Sequence, residues 1–273
     1  MKTESSGPVD VSGWELNPVP IAGRYPKIEL INDDKRYIAK FASYKQNGME
    51  IPYHVSEYIA CSVIKSLAYP VQVVAMAEYR GKPTCLIEVF DTALITFDGF
   101  GTPTMSQANL IYDLDVLHEL FPEGKYNGNF LEYIWDTFLC DALVHNLDRH
   151  PNNWGFYRIE GLYVKAPLID CASSLYSINA FETAKMRDIE SWISKFGNSA
   201  IHYKGIRSSF RDIIRAETSV QFKASAAKFK LALANLDTSC LESVERYWEQ
   251  YKKYIVFVRE FLERQVDWFG KNL

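Results

Sequence analysis

Asp148, Asn153 and Asp170 are the residues of this chain whose types and order carry the most chemistry. They stand in HNLDRHPNNWGF, His145 to Phe156, and in PLIDCASSL, Pro167 to Leu175. Two carboxylates and an amide in this order suit phosphoryl transfer. The first aspartate accepts the proton of an incoming hydroxyl, while the amide oxygen and the second aspartate hold a divalent cation against phosphate oxygens. The loop must be non-helical for Asp148 and Asn153 to face one cleft, and Pro151 in a turn-rich run excludes a continuous helix. Taken alone, the run reads equally well as a surface turn in which Asp148 caps the backbone and Arg149 forms a solvated ion pair. A zinc centre on His145 and His150 lacks a third ligand at suitable spacing.

Those residues need elements to hold them. Upstream, NFLEYIWDTFLCDALVHN reads as a helix with Asn129 as its cap and Glu132 at the capping-box position. Phe130, Leu131, Ile134, Trp135, Phe138, Leu139, Ala142 and Leu143 form one apolar stripe along it. Downstream, WGFYRIEGLYVKAPLID reads as a β-hairpin turning at Glu160 and Gly161. A buried helix, a polar loop, a hairpin and an aspartate in that order shift the balance away from a surface turn.

A phosphate-handling site also calls for a backbone cradle and for cations, which the first ninety residues supply. PIAGRYPKIELI, Pro20 to Ile31, is a small-residue turn opening into a strand and contains Ala22, Gly23 and Lys27. KRYIAKF follows an Asn32-Asp33-Asp34 turn and puts Lys40 near the end of an apolar strand; YHVSEYIACSVIKSLAY is an amphipathic helix expected to carry Glu57 in its first turn. Singly, each charge reads as an ordinary surface residue, but in sequence with the Asp148 loop they fit a phosphate-orienting ion pair. PTCLIEVF, Pro83 to Phe90, reads equally as a plain core strand or as the segment whose Glu88 and Val89 offer backbone groups to adenine.

With these motifs in place, the sequence resembles the HipA-like serine/threonine protein kinases, and within them the stand-alone CtkA-like group. The resemblance rests on PIAGRYPK, YIAKF, SEYIACSVIKSL, IWDTFLCDALVHNLDRHPNNWGFYR and APLIDCASSLY, and covers about residues 15 to 178. It implies an α+β, two-lobed protein-kinase-like fold, with a small β-rich N-terminal lobe over 1–97 and a larger, mainly helical C-terminal lobe over 98–273. It implies ATP and Mg²⁺ as well. Asp148 would be the catalytic base, Asn153 and Asp170 the metal ligands, and Lys40 the phosphate contact oriented by Glu57. Ala22, Gly23 and Lys27 would cradle phosphate, Glu88 and Val89 would meet adenine, and His150 would order the loop. The implied acceptor is a serine or threonine of a protein substrate, and the family admits an antitoxin-like regulator. A kinase-fold enzyme acting on a small molecule or lipid headgroup, and a nucleotide-sensing module without transfer activity, stand as alternatives.

Three positions depart from the family pattern. Ala172 stands where a glycine usually follows the metal aspartate, His145 replaces the usual glycine before the loop asparagine, and Pro20 stands where HipA-type enzymes have a serine before the glycine-rich loop. If Ala172 needed a left-handed backbone, the cost would be about 1 kcal/mol.

Composition agrees with this reading. A chain of 273 residues, 48% apolar, can bury a sizeable core, and its net charge of −4 gives no basic footprint for direct nucleic-acid binding. No apolar run reaches membrane-spanning length and the start lacks a signal-peptide core, so a cytoplasmic location is expected, with non-classical secretion left open. Cys61, Cys85, Cys140, Cys171 and Cys240 sit singly in apolar segments and read as reduced, buried thiols; Cys171, beside Asp170, is expected to be partly exposed but unreactive. Beyond Leu175 the chain reads as helical. Its longest piece, SCLESVERYWEQYKKYIVFVREFLERQVDWF, places Leu241, Val244, Trp248, Tyr251, Ile255, Val258, Leu262 and Val266 on one core stripe. The Gly-rich DGFGTPT, Asp98 to Thr104, is expected to link the lobes.

Overall fold

Short turns set the first sheet. The structure, a computed structural model, describes residues 7–18, 21, 25–90, 94–96, 130–149, 151–180, 188–203 and 206–273. The expected boundary at 97/98, the run 98–104, the Asn129 cap, Pro20, Ala22, Gly23 and His150 lie outside the described residues. Strands β1 (Val9–Asp10), β2 (Glu15–Asn17), β3 (Lys27–Asn32) and β4 (Lys35–Lys40) come first. A small ribbon of β5 (Ser43–Tyr44) and β6 (Glu50–Ile51) follows, then helix α1 (Tyr53–Ser66), β7 (Val74–Tyr79) and β8 (Lys82–Glu88). Six of these strands form one sheet in the order β1-β7-β8-β4-β3-β2, antiparallel except for the parallel β1–β7 pair.

Two-residue hairpins fix the register. Asp33 and Asp34 join β3 to β4 at φ 50° and 61°, and Arg80 and Gly81 join β7 to β8 at φ 51° and 74°. Two central residues with positive φ match the twist of the flanking strands, which is why this turn type dominates tight hairpins. The same geometry recurs downstream, where β10 (Gly155–Ile159) and β11 (Leu162–Lys165) turn at Glu160 and Gly161 (φ 52° and 84°), as the sequence predicts. β9 (Leu94–Thr96) pairs with the other edge of β10. It approaches so closely that a Cβ on Gly155 would lie 2.1 Å from the Ile95 carbonyl oxygen, so only glycine fits.

Helix α2 (Phe130–Val144) delivers the polar loop. Its residues Tyr133 to Val144 are buried all round rather than along the expected single stripe. Further along come α3 (Ile189–Phe196), strands β12 (Asn198–Tyr203) and β13 (Ile206–Ser209), α4 (Phe210–Ala216), α5 (Val220–Ala232), α6 (Ser239–Tyr247) and α7 (Lys252–Asn272). The β12–β13 hairpin corrects the all-helical expectation beyond Leu175. The long C-terminal piece is two helices instead of one, broken at Trp248 (φ −127°) and a short 3₁₀ turn, Glu249–Tyr251. The expected stripe still packs inward. The break lets Trp248 and Tyr251 close on His54 of α1, each ring 5.3 Å from the imidazole, so tertiary packing overrides local helix preference. From α7, Tyr254 Oη donates to the Leu175 carbonyl and Gln265 Nε2 to the Ala142 carbonyl, both at 2.8 Å.

His54 is fully buried and neither ring nitrogen has a hydrogen-bond partner among the described residues. Burial pushes its pKa from the ordinary 6.5 down to about 3. A group whose folded pKa is depressed binds more protons when unfolded, so stability is full above 6.5 and is lost as pH falls toward 3. Urea titrations across that window should show the midpoint falling with acid, and His54→Leu should flatten the fall. A slope unchanged by the substitution would assign the acid sensitivity elsewhere.

Candidate active site

Lys40 ends β4, directly across from Lys27 of β3 and Cys85 of β8, and its carbonyl is pinned by Thr84 Oγ1 at 2.6 Å. Its Nζ donates to Glu57 Oε2 and to Asp170 Oδ1, each at 2.7 Å. Glu57 lies in the second turn of α1 rather than the first, fully buried and facing the sheet. A carboxylate so placed must be saturated with donors. Its Oε1 accepts from the Cys171 amide at 2.9 Å, from Gln72 Nε2 and from Cys61 Sγ at 3.8 Å. Gln72 also reaches the other way, its Oε1 accepting from the Asp170 amide at 3.4 Å.

Opposite charges set the ionisation of Lys40 and Asp170. Burial alone would lower the Lys40 pKa, but Glu57 and Asp170 outweigh it and raise it well above the ordinary value. Burial alone would raise the Asp170 pKa, yet Lys40, with Arg149 and Lys27 adding, holds the carboxyl below its ordinary value. Lys27 has its pKa lowered by partial burial and by the neighbouring charge of Lys40, against the pull of Asp170 and Glu57.

The loop after α2 is organised from beneath by Arg149. Contrary to the solvated ion pair that a surface turn would give it, Arg149 is 3% exposed. Nε and Nη2 grip the two Asp141 carboxylate oxygens at 2.8 Å each, while Nη1 donates to the Asn153 and Ile169 carbonyls at 2.7 and 2.6 Å. One nitrogen thus draws together the backbone of Asn153 and the residue before Asp170. Within the loop, Asn146 Oδ1 accepts from the Asp148 amide at 3.2 Å, and Asn153 Nδ2 donates to the Asp148 carbonyl at 2.9 Å. Using its amide nitrogen this way directs Asn153 Oδ1 elsewhere. Asn153 and Asp170 each carry oxygen donors of the hard kind that Mg²⁺ takes.

Several expectations change in detail. Cys171 is fully buried, with its sulfur 3.8 Å from Arg149 Nη2. Ala172 has no positive φ; the left-handed backbone falls on Asp170 (φ 55°), Leu175 and Tyr176 instead. His145 does adopt the glycine-like conformation (φ 48°), and packing of its ring against Tyr176, Phe210 and Phe261 offsets that strain. Near the proposed adenine contact, the Glu88 amide donates to the Val73 carbonyl and the Val89 amide to the Arg36 carbonyl. The Tyr25 ring packs at a tilt against Tyr53, centroids 4.0 Å apart, and its hydroxyl hydrogen-bonds with Ser173 Oγ at 2.9 Å. Gln72 and the Asp141–Arg149 pair were not singled out in the sequence. An aspartate inside an apolar helix was the available signal for the pair, and Gln72 carries none.

The chain is similar to known proteins. Residues 19–240 match the HipA-like C-terminal domain. The serine/threonine-protein kinase CtkA of Helicobacter pylori is 30% identical over 62% of this chain and 56% of its own length, so the chain spans little more than half of that relative. The crystal structure of a proinflammatory kinase CtkA from Helicobacter pylori superposes with a TM-score of 0.78 at 22% identity, over 97% of this chain and 98% of that one. The two share a fold.

Because Asp141 and Arg149 are both desolvated, removing one partner strands the other. Arg149→Met should destabilise the protein by about 3–5 kcal/mol, and Asp141→Leu added to it should restore part of that loss. Equilibrium urea denaturation of the two single variants and the double variant measures both; strictly additive losses would show that the pair does not act as a unit.

Proposed function

The chain belongs to the HipA-like C-terminal domain family, and we propose that it transfers the γ-phosphoryl group of ATP to a serine or threonine hydroxyl of a protein. The observation that carries this reading is Lys40 held between Glu57 and Asp170 beside the loop of Asp148 and Asn153. In the proposed reaction Lys40 exchanges Asp170 for phosphate oxygens and keeps Glu57 as its orienting partner, with Lys27 across the strand pair adding a second cation. Asp148 accepts the proton of the acceptor hydroxyl as its oxygen bonds to the γ-phosphorus; the bond to the bridging oxygen breaks and ADP leaves. Asn153 Oδ1 and the Asp170 carboxylate would hold Mg²⁺, which neutralises phosphate charge when bound.

Adenine would sit against the strand ending at Glu88 and Val89. Since both amides are engaged in the sheet, its main-chain contact falls to their carbonyl oxygens. His150 and the Ala22–Gly23 turn keep the loop-ordering and phosphate-cradling roles implied by the family. The cleft lies between an N-terminal lobe, 1–97, and a C-terminal lobe, 98–273. Ala172 lies outside the positive-φ residues, so the alanine there carries no left-handed strain. Five buried free thiols fit a cytoplasmic setting, and among the described residues no helix is long and apolar enough to cross a membrane. An antitoxin-like regulator is compatible with this reading.

Incubation with labelled ATP, Mg²⁺ and a proteome extract should label serine or threonine of protein acceptors, read by phosphosite identification. ATP at a hundred times its Kd should stabilise the protein by about 2.7 kcal/mol with Mg²⁺ present. An equal shift after chelation would count against Asn153 and Asp170 as metal ligands. Asp148→Asn should keep that shift and lose transfer by about 10²–10⁴-fold, whereas Asp170→Asn should lose both. Wild-type transfer by Asp148→Asn would remove it as the base.

A further inference from the structure

Between α1 and β7 the chain runs alongside the segment that leads into Asp170. Val71 and Leu168 form a single parallel bridge there, in which the Gln72 amide donates to the Leu168 carbonyl at 2.8 Å and the Leu168 amide to the Pro70 carbonyl at 2.9 Å. The bridge fixes the Gln72 backbone two residues short of the point where its side chain meets Asp170. Gln72 is buried, so each polar atom of that side chain needs a partner inside the protein. All three groups have one. Nε2 donates to Glu57 Oε1 and to Cys61 Sγ, the latter at 3.5 Å, and Oε1 accepts from the Asp170 amide at 3.4 Å.

A carboxamide suits both neighbours at once. Turned end for end, it would set its oxygen against the Glu57 carboxylate and its NH₂ against the Asp170 N–H, so one orientation alone is satisfied. A carboxylate at this position would repel Glu57, and an ammonium would offer Asp170 no acceptor. What the contact holds is an unusual backbone. Asp170 has φ 55°, a left-handed conformation that a residue with a Cβ keeps only where its surroundings impose it. Arg149 Nη1 fixes the Ile169 carbonyl before it at 2.6 Å, and Glu57 Oε1 fixes the Cys171 amide after it at 2.9 Å. Gln72 holds the amide of Asp170 itself.

We propose that Gln72 is a positioning residue, which by joining Glu57 to the Asp170 amide holds Asp170 in the backbone conformation that presents its carboxylate to Mg²⁺. This role rests on the phosphoryl-transfer reading, with Asp170 as a metal ligand. In that reaction Lys40 turns from Asp170 to phosphate, and the side-chain contact at 2.7 Å is lost just when the carboxylate must meet the cation. From then on the direction of the carboxylate depends on the backbone ties. Gln72 acts through Asp170, from the buried side of the site.

The test compares the full chain with Gln72→Met, which keeps the side-chain length but neither donates nor accepts. Without nucleotide or metal, hydrogen exchange at the Asp170 amide should quicken about tenfold while the amides of α5 keep the wild-type rate. Calorimetric titration of ATP over a series of Mg²⁺ concentrations should then show the half-saturating Mg²⁺ raised about tenfold, with any binding in chelator unchanged. A residue that merely stabilised the fold would lower the melting temperature and leave the Mg²⁺ requirement where it was. Should Gln72→Met fold poorly, Gln72→Asn, which keeps the carboxamide one methylene short, should raise the requirement about threefold. A wild-type Mg²⁺ dependence that is unshifted in whichever variants fold overturns the role of Gln72 alone. ATP binding by the wild type that ignores Mg²⁺ overturns the metal assignment of Asp170, and this role with it.

Discussion

Buried Arg149 constrains the path of the polar loop. A guanidinium removed from water carries a desolvation penalty of several kcal/mol, recovered only when its donors are met in good geometry. Here the bidentate grip on Asp141 supplies the counter-charge and the carbonyls of Asn153 and Ile169 supply the remaining acceptors. Those requirements leave little choice in where the loop can run. They bring the backbone of the two candidate cation ligands, Asn153 and Asp170, from different segments to one place, and Asp141 reaches Arg149 from the buried helix α2.

The same logic extends outward from Arg149. Asp141, Arg149, Asp170, Lys40 and Glu57 alternate in sign through the centre, and Lys27 stands beside Lys40. Three acids and three bases leave the cluster formally neutral. Direct hydrogen bonds close the Glu57–Lys40–Asp170 end through Gln72, while Asp170 feels Arg149 through its charge. Lys40 therefore joins two unlike partners: the Asp170 side chain is a third exposed, whereas Glu57 is fully enclosed.

Much of this was legible in the sequence, for identifiable reasons. Turns leave local signatures, so the Asp33-Asp34 and Glu160-Gly161 hairpins were read correctly, and a fifteen-residue apolar helix leaves another. Motif spacing singled out Lys40, Glu57, Asp148, Asn153 and Asp170 as candidates, and the fold places Lys40 against Glu57 and Asp170, and Asn153 against Asp148. What escaped was set by contacts far apart in the chain. Arg149 next to Asp148 looks like a solvated pair until Asp141 is seen behind it. Gln72 has no motif and gains meaning only where Glu57 and Asp170 meet. The break at Trp248 responds to His54, nearly two hundred residues earlier. The β12–β13 hairpin sits between helices whose periodicity dominated the reading.

The contacts from α7 bear on the order in which the molecule can be made. Gln265 satisfies the Ala142 carbonyl within α2, and Tyr254 satisfies the Leu175 carbonyl at the far side of the loop. On a ribosome, α2 and the loop emerge well before either partner. Until α7 arrives, a hydrophobic helix carrying a buried aspartate lacks the layer that encloses it, and the emerging chain presents sticky, incompletely bonded surface. Enclosure of α2 is thus completed only once translation has passed α7, so a nascent chain stalled short of that helix leaves the Ala142 and Leu175 carbonyls without these two donors.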